Sequence, residues 1–316
     1  MHPMPQTMDI RPPGRRLPSH HTLVPGLHRR NTASRRESRC GVSGHVVMFS
    51  GGIGSWMTAK RVIEQHGADE VTLLFADVKG DNNNPHLGED EDTYRFINEA
   101  AKQLGAKLVT LREGRSIWQV FHDNKFLGNS RLANCSKFLK QQPCRDWLDA
   151  NCDADTTVYV GIDWTETHRL PAIQNAYLPY RAEAPLTDPP YLDKQDMIAA
   201  AKAAGLKPPR LYAAGYPHNN CGGFCVRAGH AQFRLLLQQN RERYLFHEGE
   251  EQRLREHLGK DVSVLRDRSG GASTPLTLRT FRERIDAAPE QLDFFDQFDF
   301  GGCGCFTQDE SEVAAS

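Results

Sequence analysis

The sequence predicts an α/β fold: a parallel sheet with helices on both faces, then a mostly helical, Cys-containing C-terminal region. Three observations predict it. Short apolar runs alternate with amphipathic stretches from residue 45 onward, the order expected of a parallel sheet. One of those runs, Val71-Thr72-Leu73-Leu74-Phe75-Ala76, is almost continuously apolar, as a strand covered on both faces requires. Finally, Ser50-Gly51-Gly52-Ile53-Gly54-Ser55 sits where the first apolar strand turns into the first helix.

The first strand is predicted over His45–Phe49 and the first helix over Ser55–His66, stopped by Gly67. The strand from Val71 ends in Asp77, and a loop rich in Asp, Asn and Gly (79–89) follows. Acidic residues in the first turn and Gly105 beyond the end delimit a helix over Asp90–Leu104, with Tyr94, Ile97, Ala101 and Leu104 on one stripe. Lys107–Leu111 reads as a strand, Ser116 as the cap of a helix reaching Phe121, and Thr157–Ile162 as a fourth strand ending at Asp163. Past about residue 185, Pro-rich connections flank a helix near 193–204, and a charged helical stretch covers 226–258. Three segments result: a basic N-terminal extension (1–44), a nucleotide-binding α/β domain (45–215) and a Cys-rich helical region with a flexible tail (216–316).

Composition narrows the function. The chain has 316 residues, 39% apolar and 25% charged, with a net charge of −1. No run approaches the ~20 apolar residues of a membrane helix. Residues 1–44 carry eight arginines against Asp9 and Glu37, little hydrophobic periodicity and no continuous apolar core of a signal peptide. That stretch is expected to be disordered, as a dispensable extension, a transit-like segment or a nucleic-acid-binding arm. The eight cysteines, without a secretory signal, point to thiol chemistry or metal in a cytoplasmic protein rather than a disulfide frame.

Glycines at a strand-to-helix junction let backbone N–H groups approach an anion, and the helix N-terminus adds donors and partial positive charge. Ser50, Gly51, Gly52, Gly54 and Ser55 are therefore candidate phosphate-binding residues, the alternative being an ordinary tight turn. The spacing is neither Gly-x4-Gly-Lys-Ser/Thr nor Gly-x-Gly-x-x-Gly. Ligands of parallel sheets sit at the carboxyl ends of strands, which makes Asp77, Gly161, Asp163, Glu166 and Arg169 candidates for the same crevice. Arg169 suits bidentate phosphate binding, Glu166 would hold it in place or help bind Mg2+, and Asp77 would accept from a ribose hydroxyl or act as a structural cap. Cys135 is a candidate thiolate or metal ligand and Lys140 a candidate phosphate ligand, while Cys144 and Cys152 read as packing residues. Cys221 and Cys225, with Cys303 and Cys305, are candidate ligands of Zn2+ or an Fe–S cluster; the alternative makes Cys303 and Cys305 a mobile redox pair.

Together these residues, over roughly 45–230, resemble the PP-loop ATP pyrophosphatase superfamily and within it the phosphoadenosine phosphosulfate reductase-like group. The carriers are Ser50–Ser55, the strand ending at Asp77, Cys135 with Lys140 and Pro143, Gly161 with Glu166 and Arg169, and the Asn219–Cys225 and Gly301–Cys305 segments. The resemblance implies a Rossmann-like, adenine nucleotide alpha hydrolase-like fold, with phosphates on Ser50–Ser55 and adenosine near Asp77. It implies an enzyme that cleaves ATP between the α and β phosphates, adenylates an acceptor and lets a sulfur or nitrogen nucleophile displace AMP. The acceptor is left open, with a nucleic acid and a sulfur carrier among the candidates. The alternatives are a thiol-dependent sulfonucleotide reductase using Cys303 or Cys305, and a non-catalytic nucleotide-binding protein. The chain departs from the group at Gly54, where members usually have aspartate, and at Asp163, where reductases usually have arginine.

Overall fold

A computed structural model describes residues 44–301, apart from 82, 130, 131, 270 and 289–298. The expectations for residues 1–43 and for Cys303 and Cys305 lie outside the described residues.

Five parallel strands form one sheet: β1 (His45–Met48), β2 (Val71–Asp77), β3 (Lys107–Arg112), β4 (Thr157–Tyr159) and β5 (Arg181–Glu183), in the order β3-β2-β1-β4-β5. Every pair is parallel, with His45 opposite both Val71 and Thr157. The order reverses at β1 and β4. In open α/β sheets the ligand crevice lies at such a switch point, outside the strand carboxyl ends.

The helices are α1 (Ile53–His66), α2 (Glu91–Leu104), α3 (Ile117–Asp123), α4 (Asn134–Ser136), α5 (Gln142–Asn151), α6 (Leu170–Tyr177), α7 (Lys194–Ala203), α8 (Arg210–Ala213), α9 (His230–Gln239), α10 (Arg241–Leu258) and α11 (Leu278–Ala287). A π-helical turn, Lys137–Gln141, joins α4 to α5. Leu265–Asp267 and Thr274–Leu276 pair as an antiparallel hairpin, β6 and β7.

Alternation along β1 explains the two-sided packing. Val47 turns to one face, with Leu73 and Phe75 of β2, against Trp56, Phe96, Met197 and Ala201 of α1, α2 and α7. Val46 and Met48 turn to the other, with Leu74 and Ala76, against Leu148 and Ile173 of α5 and α6. The period of two that points successive side chains to opposite faces thus requires helices on both. Capping is local: Asp90 accepts from Asp92 N, and Ser116 forms a reciprocal capping box with Gln119.

A third core joins the two halves. Val78, Trp118 and Phe121 pack with Phe224, Phe233, Tyr244, Leu254 and Phe281. Trp118 Nε1 donates to His247 Nδ1 at 2.9 Å, and Phe224 stacks on that imidazole at 3.6 Å. This core runs across the boundary expected at residue 215, and the described residues fall in one compact unit. The strand expected to continue to Ile162 stops at Tyr159, and the charged stretch 226–258 is two helices broken at Asn240.

Candidate functional site

The Ser50–Ser55 loop lies at the switch point. Gly51 takes φ +79°, and its Cβ would meet Ile97 at 2.7 Å, so only glycine fits the turn. Helix α1 begins at Ile53, two residues earlier than expected, with Gly52 as its N-cap. Ser55 is consequently inside the helix, where its hydroxyl donates to the Gly52 carbonyl at 2.8 Å. Ile53 N donates to the Tyr212 hydroxyl at 3.0 Å. The N–H groups of Gly54 and Ser55, in the first turn, have no intrahelical acceptor and point out of the helix end.

Gly54 has a packing reason. A Cβ on it would lie 3.2 Å from the Gly161 carbonyl oxygen, and one on Gly161 would lie 3.1 Å from Ser55 N. The start of α1 and the end of β4 thus meet backbone to backbone.

A cleft of about 170 Å3 opens there. Ser50, Gly52, Gly54, Ser55, Gly161, Asp163, Glu166 and Arg169, all expected at the site, line it. Arg169 pairs with Glu166, three residues away in the 3-10 turn Trp164–Arg169. Asp163 caps that turn, accepting from Thr165 N at 2.9 Å. The structure adds Lys194, Tyr212, His218, Asn219 and Asn220 to the lining. Burial, then the charges of Lys194 and Arg169, hold His218 down at about 4, so its imidazole is neutral near pH 7. These residues follow Pro-rich connections that carry no phosphate-loop pattern, which is why sequence reasoning missed them; Asn219 stands within the cysteine motif but signals nothing by itself.

Asp77, expected at the site or as a structural cap, is placed apart from the cleft. Both carboxylate oxygens are engaged elsewhere. Oδ1 accepts from the Tyr94 hydroxyl at 2.7 Å and Lys79 N at 3.0 Å; Oδ2 accepts from Arg112 Nη2 at 2.6 Å. Burial and the Asp77 carboxylate push the Tyr94 hydroxyl up, so it stays a donor. Asp77 therefore clasps β2 to α2 and β3.

Lys140, expected to reach a phosphate, is also placed apart from the cleft. Its side chain is buried and ion-paired with Glu89 at 3.3 Å, and it does not line the nucleotide cleft. It lines instead a small cavity of about 30 Å3 with Cys135, Cys221, Cys225, Phe224 and Arg227. The π turn and the long-range fold bring both Cys135 and Lys140 to this cavity. Cys144 is buried in the second core and its thiol is pushed up to about 12 by burial, which agrees with a packing role.

One segment walls both cavities. Asn219 Nδ2 donates to the Gly51 carbonyl at 3.1 Å, while Cys221 N donates to Glu89 and Arg243 Nη2 donates to the Gly88 carbonyl at 2.6 Å. Cys221, Gly222 and Gly223 all take positive φ, so the backbone curls around the Arg243 guanidinium. Among the described residues no group of three or more His, Cys, Asp or Glu side chains is placed to hold a metal ion. The expected Zn2+ or Fe–S site thus has no support there, with Cys303 and Cys305 outside those residues. Gly301, two residues before Cys303, bridges to Ala228. No described helix is long and apolar enough to cross a membrane.

No family model matches the chain, and no curated protein matches it. Among solved structures it is similar to the NH3-dependent NAD synthetase from Campylobacter jejuni subsp. jejuni NCTC 11168 in complex with the nitrate ion, at 14% identity over 70% of this chain and 86% of that chain, with a TM-score of 0.35.

Proposed function

We propose that the chain is a PP-loop enzyme that binds ATP or a related adenine nucleotide and cleaves it between the α and β phosphates, adenylating an acceptor. One observation carries this reading. The N-terminus of a 14-residue helix, Arg169 and Lys194 converge on one cleft at the sheet's switch point. Backbone donors and two cations suit a polyphosphate, and they would stabilise the charge that develops on departing pyrophosphate. Asp163 and Glu166 supply two carboxylates of the kind that join Mg2+ to substrate phosphates. Gly54 is accounted for by its approach to Gly161, so its presence is no argument for a non-catalytic protein.

The test is product analysis with α-labelled ATP, Mg2+ and candidate acceptors, single-stranded nucleic acid and sulfur-carrier thiols among them. AMP and pyrophosphate in equal amounts are expected; ADP with phosphate would overturn the reading. Lys194→Ala is expected to weaken ATP binding about tenfold, in line with the loss of one charge-assisted phosphate contact.

Thiol-dependent sulfonucleotide reduction is the second reading. It is favoured by the meeting of Cys135, Cys221 and Cys225 at a cavity whose wall, Asn219–Cys225, also borders the cleft. Sulfite released from a sulfonucleotide with a dithiol donor, and no AMP formed from ATP, would select it.

A further inference from the structure

His218 is held in the wall of the cleft by its chain neighbours, while its own ring has no protein partner. Lys194 Nζ donates to the Pro217 carbonyl and ties the segment to α7. Asn219 Nδ2 donates to the Gly51 carbonyl at 3.1 Å and ties it to the phosphate loop. Between these two anchors the His218 imidazole is half-buried and lines the cleft. Among the described residues no hydrogen bond, ion pair or ring contact engages it.

The charges that act on this ring are of one sign. The other titratable groups lining the cleft come from three elements: Asp163, Glu166 and Arg169 from the 3-10 turn, Lys194 from α7 and Tyr212 from α8. Glu166 is committed to Arg169, and Asp163 to Thr165. What reaches the ring is burial, then the positive charges of Lys194 and Arg169, and these hold it neutral near pH 7. An anion in the cleft reverses that balance. A polyphosphate neutralises both cations and sets oxygen acceptors before a ring whose nitrogens have no partner, and each effect favours the protonated imidazole.

We propose that His218 is a proton-coupled phosphate ligand: its ring takes up a proton as a polyphosphate enters the cleft and then donates to the phosphate oxygens. This rests on the nucleotide reading above and deepens it. The imidazolium is a third cation beside Arg169 and Lys194, formed only when the phosphates are present, and it stabilises the charge on departing pyrophosphate. A ligand without several negative charges does not recruit it, so the cleft selects for polyphosphates.

The test is calorimetry of ATP and inorganic tripolyphosphate, each with Mg2+, on the full-length protein at pH 6 and pH 8, in two buffers of different ionisation heat. In the unaltered protein, binding is expected to take up about one proton at pH 6 and little at pH 8. Affinity is expected to be about tenfold higher at pH 6, the linkage for a ring that returns to or above the ordinary imidazole range on binding. His218→Gln keeps a polar side chain but cannot take the proton. It should match the unaltered protein within about threefold at pH 8 and fall about tenfold behind at pH 6. Any proton taken by the ligand itself appears equally in the variant, so the difference belongs to His218. A proton resonance of the unaltered protein gives a second measurement that needs no variant: one imidazole Cε1–H signal should be constant from pH 6 to pH 8 without ligand and titrate with it. No proton uptake at pH 6, the same pH dependence in His218→Gln, or no ligand-dependent titration would overturn the role of His218 while leaving the nucleotide reading intact. Failure of ATP and tripolyphosphate alike to bind at either pH would overturn both readings.

Discussion

Gly54 and Asp77 exchange the roles that their types suggest. A glycine in the phosphate loop is where backbone freedom for a ligand is expected, yet Gly54 has helical geometry and is needed for its closeness to the Gly161 carbonyl, 3.2 Å from where a Cβ would sit. Gly54→Asp is expected to force α1 and β4 apart and to cost about 1–3 kcal/mol, the usual range for overpacking. Thermal unfolding would then shift down by several degrees, about 2–4 °C per kcal/mol at this size; an unchanged midpoint would show that the contact relaxes freely. An aspartate at a strand carboxyl end suggests ligand binding, yet Asp77 is spent on Tyr94, Lys79 and Arg112. Asp77→Ala leaves the half-buried Tyr94 hydroxyl without its acceptor and is expected to cost about 1–3 kcal/mol. Nucleotide affinity should remain within about threefold in calorimetry, because the carboxylate does not reach the cleft; a larger loss would return Asp77 to the site.

The Asn219–Cys225 segment is the element on which the two cavities depend. Three consecutive residues in the left-handed region cannot hold that shape by local preference alone. Glu89 and Arg243 fix it from outside, one accepting from Cys221 N and the other filling the space beside Gly222. Gly222→Ala would place a methyl group on the Arg243 guanidinium as well as straining φ. Its expected cost is about 2 kcal/mol or more, measured by denaturant unfolding. Because Asn219 also bonds the Gly51 carbonyl, the same variant is expected to weaken ATP binding severalfold. Full ATP affinity in a destabilised Gly222→Ala protein would mean that the phosphate loop does not need this strap.

At the scale of the molecule, the C-terminal helices are joined to the hairpin by a buried carboxylate. Glu251 of α10 accepts from Val264 N at 2.9 Å and Leu278 N at 2.7 Å, tying α10 to the start of β6 and to α11. Burial raises its carboxyl to about 7, despite both backbone donors. The native state therefore binds this proton more tightly than the unfolded chain does. The stabilisation from protonation is fully present below about pH 4.5 and is lost as pH rises through about 7, a difference on the order of 3 kcal/mol. Urea unfolding at pH 5, 6, 7 and 8 is expected to show stability falling over that span. Glu251→Gln, neutral throughout, should flatten the fall; an equally steep profile in the variant would place the titration elsewhere. The third core makes this matter for the site, because Tyr244 and Leu254 of α10 pack with Phe224 of the segment that walls the cleft.

Much of the nucleotide half was legible from sequence because its signals are local. The apolar run of β2 reports burial on both faces, Asp90 and Ser116 announce helix starts, and the glycines of the first strand-to-helix loop mark a tight turn, with Gly51 at positive φ. Strand β5, three residues reading Arg-Ala-Glu at the sheet edge, carries no such signal and was invisible. The Ser50–Ser55 loop, its position between strand and helix, and the partnership of Glu166 with Arg169 are properties of near neighbours in the chain, and sequence alone determined them. Contacts between residues far apart depend on how the chain closes on itself. Only the tertiary structure decided that Lys194 and His218 enter the cleft, that Asp77 and Lys140 instead pair with Arg112 and Glu89, and that Cys135, Cys221 and Cys225 line one cavity. Burial drives that choice: a charge removed from water must find a partner wherever the fold supplies one, and no local pattern records where that partner lies.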